Sequence, residues 1–154
     1  MALLDSLNDA QRAAVMHDGG PLLVVAGAGS GKTRVLTARI ARLIEEGVPP
    51  WAILAVTFTN RAAREMRERL AGMLGDDVAR ELWVGTFHAT AVRILRREAG
   101  RLGIPPTFAI YDREDQDDVL REVIERLDLP EDVYKLGLVR ERISGAKNAL
   151  VDVD

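Results

Sequence analysis

Cysteine is absent from the 154 residues, which excludes disulfides, zinc ribbons and thiol catalysis. Only two histidines, His17 and His88, are present, too few for a histidine-built metal cage. The start, MALLDSLNDAQ, lacks a basic segment followed by an apolar run, which argues against a secretory signal. The longest strongly apolar stretch, around Leu22 to Ala28, is far too short to span a bilayer. Repeats and low-complexity linkers are lacking too. These absences make a cytoplasmic protein with no membrane partner the expectation. What is present, 47% apolar and 29% charged residues, suits one compact domain, or one domain plus part of a second.

Charge is nearly balanced, at −3, but unevenly distributed. Arginines dominate from 61 to 101 (Arg61, Arg64, Arg67, Arg69, Arg80, Arg93, Arg96, Arg97 and Arg101). From Asp112 to Asp132 ten acids face Arg113, Arg121 and Arg126. Charge runs of this kind read first as solvated helix faces, and charge alone does not mark a nucleic-acid binder.

The pattern of apolar residues and breakers predicts alternating elements. A helix capped by Asn8 runs through Ala10, Ala13 and Ala14 to about Met16, where Asp18-Gly19-Gly20-Pro21 breaks it. Leu22 to Ala26 reads as a strand buried on both faces. A helix from Lys32 to about Glu46 carries Leu36, Ile40, Leu43 and Ile44 on one stripe. Ala52 to Phe58 is a second strand. Asn60 caps a third helix with inner residues Ala63, Met66, Leu70 and Leu74, Gly75-Asp76-Asp77 turns, and Leu82 to Phe87 is a third strand. Strand, helix, strand, helix, strand predicts an α/β fold with a parallel sheet. Helices alone follow, at about 89–101, 113–127 and 132–148, with a boundary at Gly103-Ile104-Pro105-Pro106. The expected domains are therefore a sheet-bearing one over 1–90 and a helical, incomplete one over 91–154.

Chemistry concentrates at Ala26-Gly27-Ala28-Gly29-Ser30-Gly31-Lys32-Thr33. Glycines at 27, 29 and 31 let the backbone curl so that successive N–H groups point inward. A helix start after the curl adds unpaired N–H groups and a positive dipole end, both attractive to phosphate. Lys32 supplies a cation for the β- and γ-phosphates, and the Thr33 hydroxyl a ligand for Mg²⁺. Ala26 stands where the strict phosphate-loop pattern has glycine. A ligand-free glycine turn is the plainer alternative, and Gly-Lys-Thr opening an amphipathic helix speaks against it.

The surrounding residues narrow the choice. Leu7-Asn8-Asp9-Ala10-Gln11-Arg12, AGAGSGKTRVL from Ala26, AVTFTNRAAREM from Ala55 and VGTFHA from Val84 stand in this order and spacing. Together they resemble the UvrD/Rep/PcrA group of superfamily 1 DNA helicases, over the whole chain. The segments around Ile110-Tyr111-Asp112 and Ile143 to Asn148 resemble that group's helical accessory subdomain. The resemblance implies a RecA-like phosphate-loop motor domain that uses ATP and Mg²⁺ to travel 3′ to 5′ on single-stranded DNA and open duplex junctions. It implies that Gln11 reads adenine, although Gln11 can equally complete a capping box with Asn8. It implies that Arg34 stacks on base or ribose, where a solvated first-turn arginine is the alternative. Thr57, Phe58, Thr59, Asn60 and Arg61, with Thr86, Phe87 and His88, are then expected to contact DNA. Phe58 is either a core plug or a base platform, and His88 a structural histidine or a DNA contact. Arg61 replaces the family's more frequent lysine and keeps the charge for a phosphate.

Hydrolysis needs carboxylates to organise Mg²⁺ and orient water. In that group they lie in an Asp-Glu-x-x-Asp-type stretch, and none occurs here. Asp112-Arg113-Glu114-Asp115 reads as helix N-terminal charge. The expectation is a piece of a longer helicase that binds ATP but hydrolyses it poorly without the remaining domains. The alternatives are a RecB- or AddA-like helicase–nuclease subunit and a non-catalytic ATP-binding module. A small-molecule kinase would need an acceptor pocket and a lid, and nothing marks either.

Overall fold

The computed structural model describes residues 2–130 and 132–152, in two compact units, Met1–Pro106 and Thr107–Asp154. The division follows directly on the Gly103 to Pro106 segment, so the first unit runs past position 90.

In the first unit a short helix α1 (Ala2–Asp5) precedes α2 (Asp9–Met16). Asn8 caps α2 as predicted, and the cap is reciprocal. The Gln11 N–H donates to Asn8 Oδ1 at 2.9 Å, and the Asn8 N–H donates to Gln11 Oε1 at 3.1 Å. Helix α3 spans Lys32–Glu45. Its buried face departs from the predicted stripe: Val35, Ala38, Ile40 and Ala41 are buried, whereas Leu36 is 39% exposed. Two neighbours set this orientation. Val35 and Ala38 pack with Leu7, Ala14 and Val15, while Ile40, flanked by Leu43 and Ile44, joins the core around the sheet. Small residues at 38 and 41 leave room for the adjoining elements.

The predicted strand at Leu22 to Ala26 is not formed. These residues are irregular, and the only sheet among the described residues consists of two other strands. Exposure nevertheless alternates along the segment: Leu22 43%, Leu23 87%, Val24 42%, Val25 87%. That is the period of a strand without a ladder to complete it, because an extended segment becomes a strand only when a neighbour takes its N–H and C=O groups.

After a 3₁₀ turn at Pro50–Ala52, strand β1 (Leu54–Thr57) pairs in parallel with β2 (Trp83–Thr86), in the register Leu54↔Trp83 through Thr57↔Thr86. The connection runs through α4 (Asn60–Leu74) and α5 (Asp76–Glu81). The cap of α4 is Thr59 rather than Asn60. Thr57 Oγ1 donates to the Thr59 carbonyl at 3.0 Å, closing the turn out of β1 early, and Thr59 Oγ1 accepts the Ala62 N–H at 3.1 Å. Only Gly75, at φ 88°, turns the chain. Asp76 and Asp77 already open α5, where acids suit the positive helix end. Ala63, Met66 and Leu70 are buried on α4 as predicted, and Leu74 packs at their edge. The core combines Ile40, Ile53, Ala55, Met66, Leu70, Leu82 and Val84. Full burial of a side chain such as Leu70 stabilises by roughly 1.5–3 kcal/mol. Helix α6 (Phe87–Glu98) leaves β2 directly, starting two residues earlier than predicted because the Thr86 hydroxyl caps it.

The second unit contains α7 (Arg113–Arg126) and α8 (Leu136–Asn148). Asp112 caps α7, accepting the N–H groups of Glu114 and Asp115, and Asp115 accepts the Asp112 N–H in return. An ion pair between Arg140 and Asp117 ties the two helices. Among the described residues no helix is long and apolar enough to cross a membrane, and no group of three or more His, Cys, Asp or Glu gathers as for a metal.

Candidate functional site

Gly31, at φ 86°, delivers the chain into α3, and no side chain caps that helix. The first N–H groups of a helix have no partner within it, so this end of α3 remains a donor surface with a positive dipole. Gly29, at φ 75°, shares the left-handed backbone that glycine adopts without strain. The loop is held from inside. Ser30 Oγ donates to the Gly27 carbonyl at 2.7 Å, and Lys32 Nζ donates to the carbonyls of Ala26 at 2.8 Å and Gly27 at 2.5 Å. Lys32, Thr33 and Arg34 are all exposed. An exposed ammonium resting on two carbonyls, an adjacent hydroxyl and an uncapped helix start form a donor set suited to a polyphosphate and its cation.

Gln11 lies at the mouth of the loop. Its Oε1 completes the α2 cap, and its Nε2 donates to the Ser30 carbonyl at 2.9 Å. An amide carries two donors and two acceptor sites, so one N–H and one lone pair remain for a further partner. A cleft of about 200 Å³ opens beside it, lined by residues including Gln11, Ala26, Ser30 and Lys32. A wider one, about 720 Å³, lies in the second unit among Arg121, Glu125, Asp128 and Lys135. Size does not decide between them. The wider cleft mixes both signs of charge, whereas the smaller one adjoins a convergent set of donors.

The second group of predicted residues is assembled by strand register. Because Thr57 pairs with Thr86, the residues that follow, Phe58 and Phe87, emerge side by side. Their ring centroids are 5.4 Å apart and tilted by 49°. Phe58 is 92% exposed and Phe87 51%, so neither plugs the core. The hydroxyls of Thr59 and Thr86 are engaged as helix caps. Asn60 and His88 are exposed in the first turns of α4 and α6. Arg61 Nε donates to Glu65 Oε1 at 2.8 Å. That bond, then the opposite charge, lowers the Glu65 carboxyl below its ordinary range and raises the Arg61 guanidinium.

Most of the arginine run has partners within the protein. Arg80 pairs with Asp77, Arg97 and Arg101 pair with Glu98, and Arg67 donates to the Val84 carbonyl at 2.7 Å. Arg93 lies over the Trp83 ring, 4.0 Å from its centroid. Sequence reasoning missed Trp83 with Arg93, and it missed Ser30 as the partner of Gln11. It also missed Arg39 and Arg42, which reach backbone carbonyls of Ala14, Val15 and His17 that no residue pattern reveals.

The model of the UvrD/REP helicase N-terminal domain matches residues 7–154. The chain is 51% identical over 150 residues to the ATP-dependent DNA helicase PcrA of Leuconostoc citreum. It is 53% identical over 152 residues to the ATP-dependent DNA helicase UvrD1 of Mycobacterium tuberculosis. It is 49% identical over 151 residues to PcrA of Bacillus subtilis. Each match covers 97% of this chain but 20% of the relative, so the chain spans about a fifth of those proteins.

Proposed function

The chain belongs to the UvrD/REP helicase N-terminal domain family, and from that premise we propose that it is the ATP-holding front part of an ATP-dependent DNA helicase acting in the cytoplasm. The observation that carries the reading is the uncapped start of α3 behind Gly31, with Lys32 and Thr33 exposed beside it. In this reading Lys32 leaves the carbonyls of Ala26 and Gly27 for the β- and γ-phosphates. Thr33 ligates Mg²⁺, the N–H groups from Gly27 to Thr33 surround the phosphates, and Arg34 lies along the base or ribose. Gln11 offers its remaining N–H and lone pair to adenine. The bound nucleotide supplies the free energy of phosphoryl transfer, and this chain's residues bind and orient it.

Phe58 and Phe87 are the platform for unpaired bases, indifferent to their identity as translocation requires. Arg61, Asn60 and His88 flank it toward the strand's backbone. Direction of travel 3′ to 5′ and the opening of duplex junctions belong to the whole helicase, whose further domains supply the carboxylates for hydrolysis. The RecA-like sheet is completed when Leu22 to Ala26 gains neighbouring strands from those domains.

Titration calorimetry with MgATP tests the nucleotide assignment. Lys32→Ala removes charge-assisted bonds worth roughly 1.5–3 kcal/mol each. One such bond corresponds to about a 10- to 150-fold weaker Kd. Unchanged affinity in a folded Lys32→Ala chain would overturn the assignment.

A further inference from the structure

Helix α2 is only eight residues long, too short to persist by its own hydrogen bonds. Its C-terminal carbonyls, which no helical N–H can reach, are received by two arginines of α3. Arg39 Nη1 donates to the carbonyls of Ala14 at 3.0 Å, Val15 at 3.3 Å and His17 at 2.7 Å. Arg42 Nη1 donates to the Val15 carbonyl at 2.9 Å, and its other nitrogens pair with Asp18 and Glu46. Cations at a helix C-terminus also oppose the negative end of its dipole. Arg39 and Arg42 lie one turn apart, on one face of α3, and Arg39 is seven residues beyond Lys32, about 10 Å along the axis.

We propose that Arg39, assisted by Arg42, is a positioning residue for the base end of the nucleotide site. It acts through α2 on Gln11 and touches neither phosphate nor base. The inference rests on the proposed adenine role of Gln11. Helix α2 is held at three places: Gln11 on the Ser30 carbonyl of the loop, Ala14 and Val15 against Val35 and Ala38 of α3, and the α3 arginines on its terminal carbonyls. Apolar contact among small side chains resists separation but resists sliding poorly. The directional bonds at the two ends set where α2 sits along α3. Because Gln11 is tied by one oxygen and one nitrogen bond, that setting fixes where its remaining donor and acceptor point. Lys32, Thr33 and the N–H groups at the start of α3 belong to the loop and α3, and α2 reaches that loop through the one bond from Gln11 to the Ser30 carbonyl. Arg39 therefore governs recognition of the base and leaves the grip on the phosphates alone.

The test compares MgATP with magnesium tripolyphosphate, which lacks base and sugar, by calorimetry on the wild-type chain, Arg39→Ala, Gln11→Ala and the double variant. Arg39→Ala is expected to weaken MgATP by about 3- to 10-fold, a neutral hydrogen bond's worth, and to leave tripolyphosphate within about twofold. The double variant should bind MgATP no more weakly than Gln11→Ala, because both act through one contact. If Arg39→Ala fails to fold, Arg39→Lys, which keeps the charge without the planar fork, should show the same selective loss at smaller size. Equal weakening of both ligands, or additive losses in the double variant, would overturn the proposal. A wild-type preference for MgATP that Gln11→Ala abolishes and Arg39→Ala retains would sink it while leaving the adenine role intact. No wild-type preference would remove the adenine role and this inference together, and no binding of either ligand would remove the nucleotide reading itself.

Discussion

Replacing Phe58 by alanine separates a ring held for packing from a ring held for binding. At 92% exposure the side chain contributes almost nothing to the core, and its one ring contact is Phe87 at 5.4 Å. An aromatic pair is worth about 0.5–1.5 kcal/mol beyond area burial when desolvated, and less in water. The melting temperature should therefore fall by no more than a few degrees, at about 4–8 °C per kcal/mol for a unit of this size. A base stacked on an aromatic ring is worth about 1–3 kcal/mol, so single-stranded DNA should bind about 5- to 150-fold more weakly. Fluorescence anisotropy with a labelled oligothymidine at fixed salt reads this directly, and Phe58→Tyr should retain affinity because its ring presents the same face. Phe87→Ala, at 51% exposure, should lose both affinity and some stability. Undiminished DNA binding by Phe58→Ala would refute the platform, and a large loss of stability would show the ring to be structural.

Gly31→Ala places a Cβ 2.7 Å from Gln11 Nε2 at a φ of 86°. The left-handed backbone costs about 1–2 kcal/mol, and the displaced Gln11 bond about 0.5–1.5 more. A melt should drop by roughly 10 °C, whereas Gly72→Ala on α4, with open space around it, should raise stability slightly. Glu65→Gln releases Arg61 and should steepen the salt dependence of single-stranded DNA binding by about 0.7 in log–log slope, one phosphate contact; an unchanged slope would argue against Arg61 as that contact. The lowered Glu65 carboxyl keeps the Arg61 pair complete above the ordinary carboxylate range. Its contribution is lost only as pH falls through the lowered value, so titration between pH 6 and 8 should leave DNA binding unaffected by this pair. Leu23→Lys with Val25→Lys, both replacing outward side chains that are 87% exposed, should leave the melting temperature unchanged in a thermal melt.

The elements legible in the sequence were those whose causes are local. Asn8 followed three residues later by Gln11 is a capping box in any context, and Ala63, Met66 and Leu70 form one stripe of α4 whatever lies beneath. The glycines before Lys32 announce the curl because few other residues take that backbone. Residue type did not separate Thr59 from Asn60 as the cap of α4, since both are good caps; the folded turn has Thr57 Oγ1 on the Thr59 carbonyl and Thr59 Oγ1 on the Ala62 N–H.

The candidate site was legible in its residue types and not in its arrangement. Gly-Lys-Thr named the loop, but the rest of Gln11's bonding depended on where α2 lies, which in turn depends on Arg39 and Arg42 reaching carbonyls more than twenty residues away. The nearness of Phe58 to Phe87 is a product of strand register across a helical crossover. The apolar run from Leu22 to Val25 was written in the chain, while its alternating exposure came from the fold and its becoming a strand requires a neighbour's backbone. Periodicity and capping are properties of a few consecutive residues and survive in isolation; pairing, register and docking join distant residues, so only the folded chain could decide them.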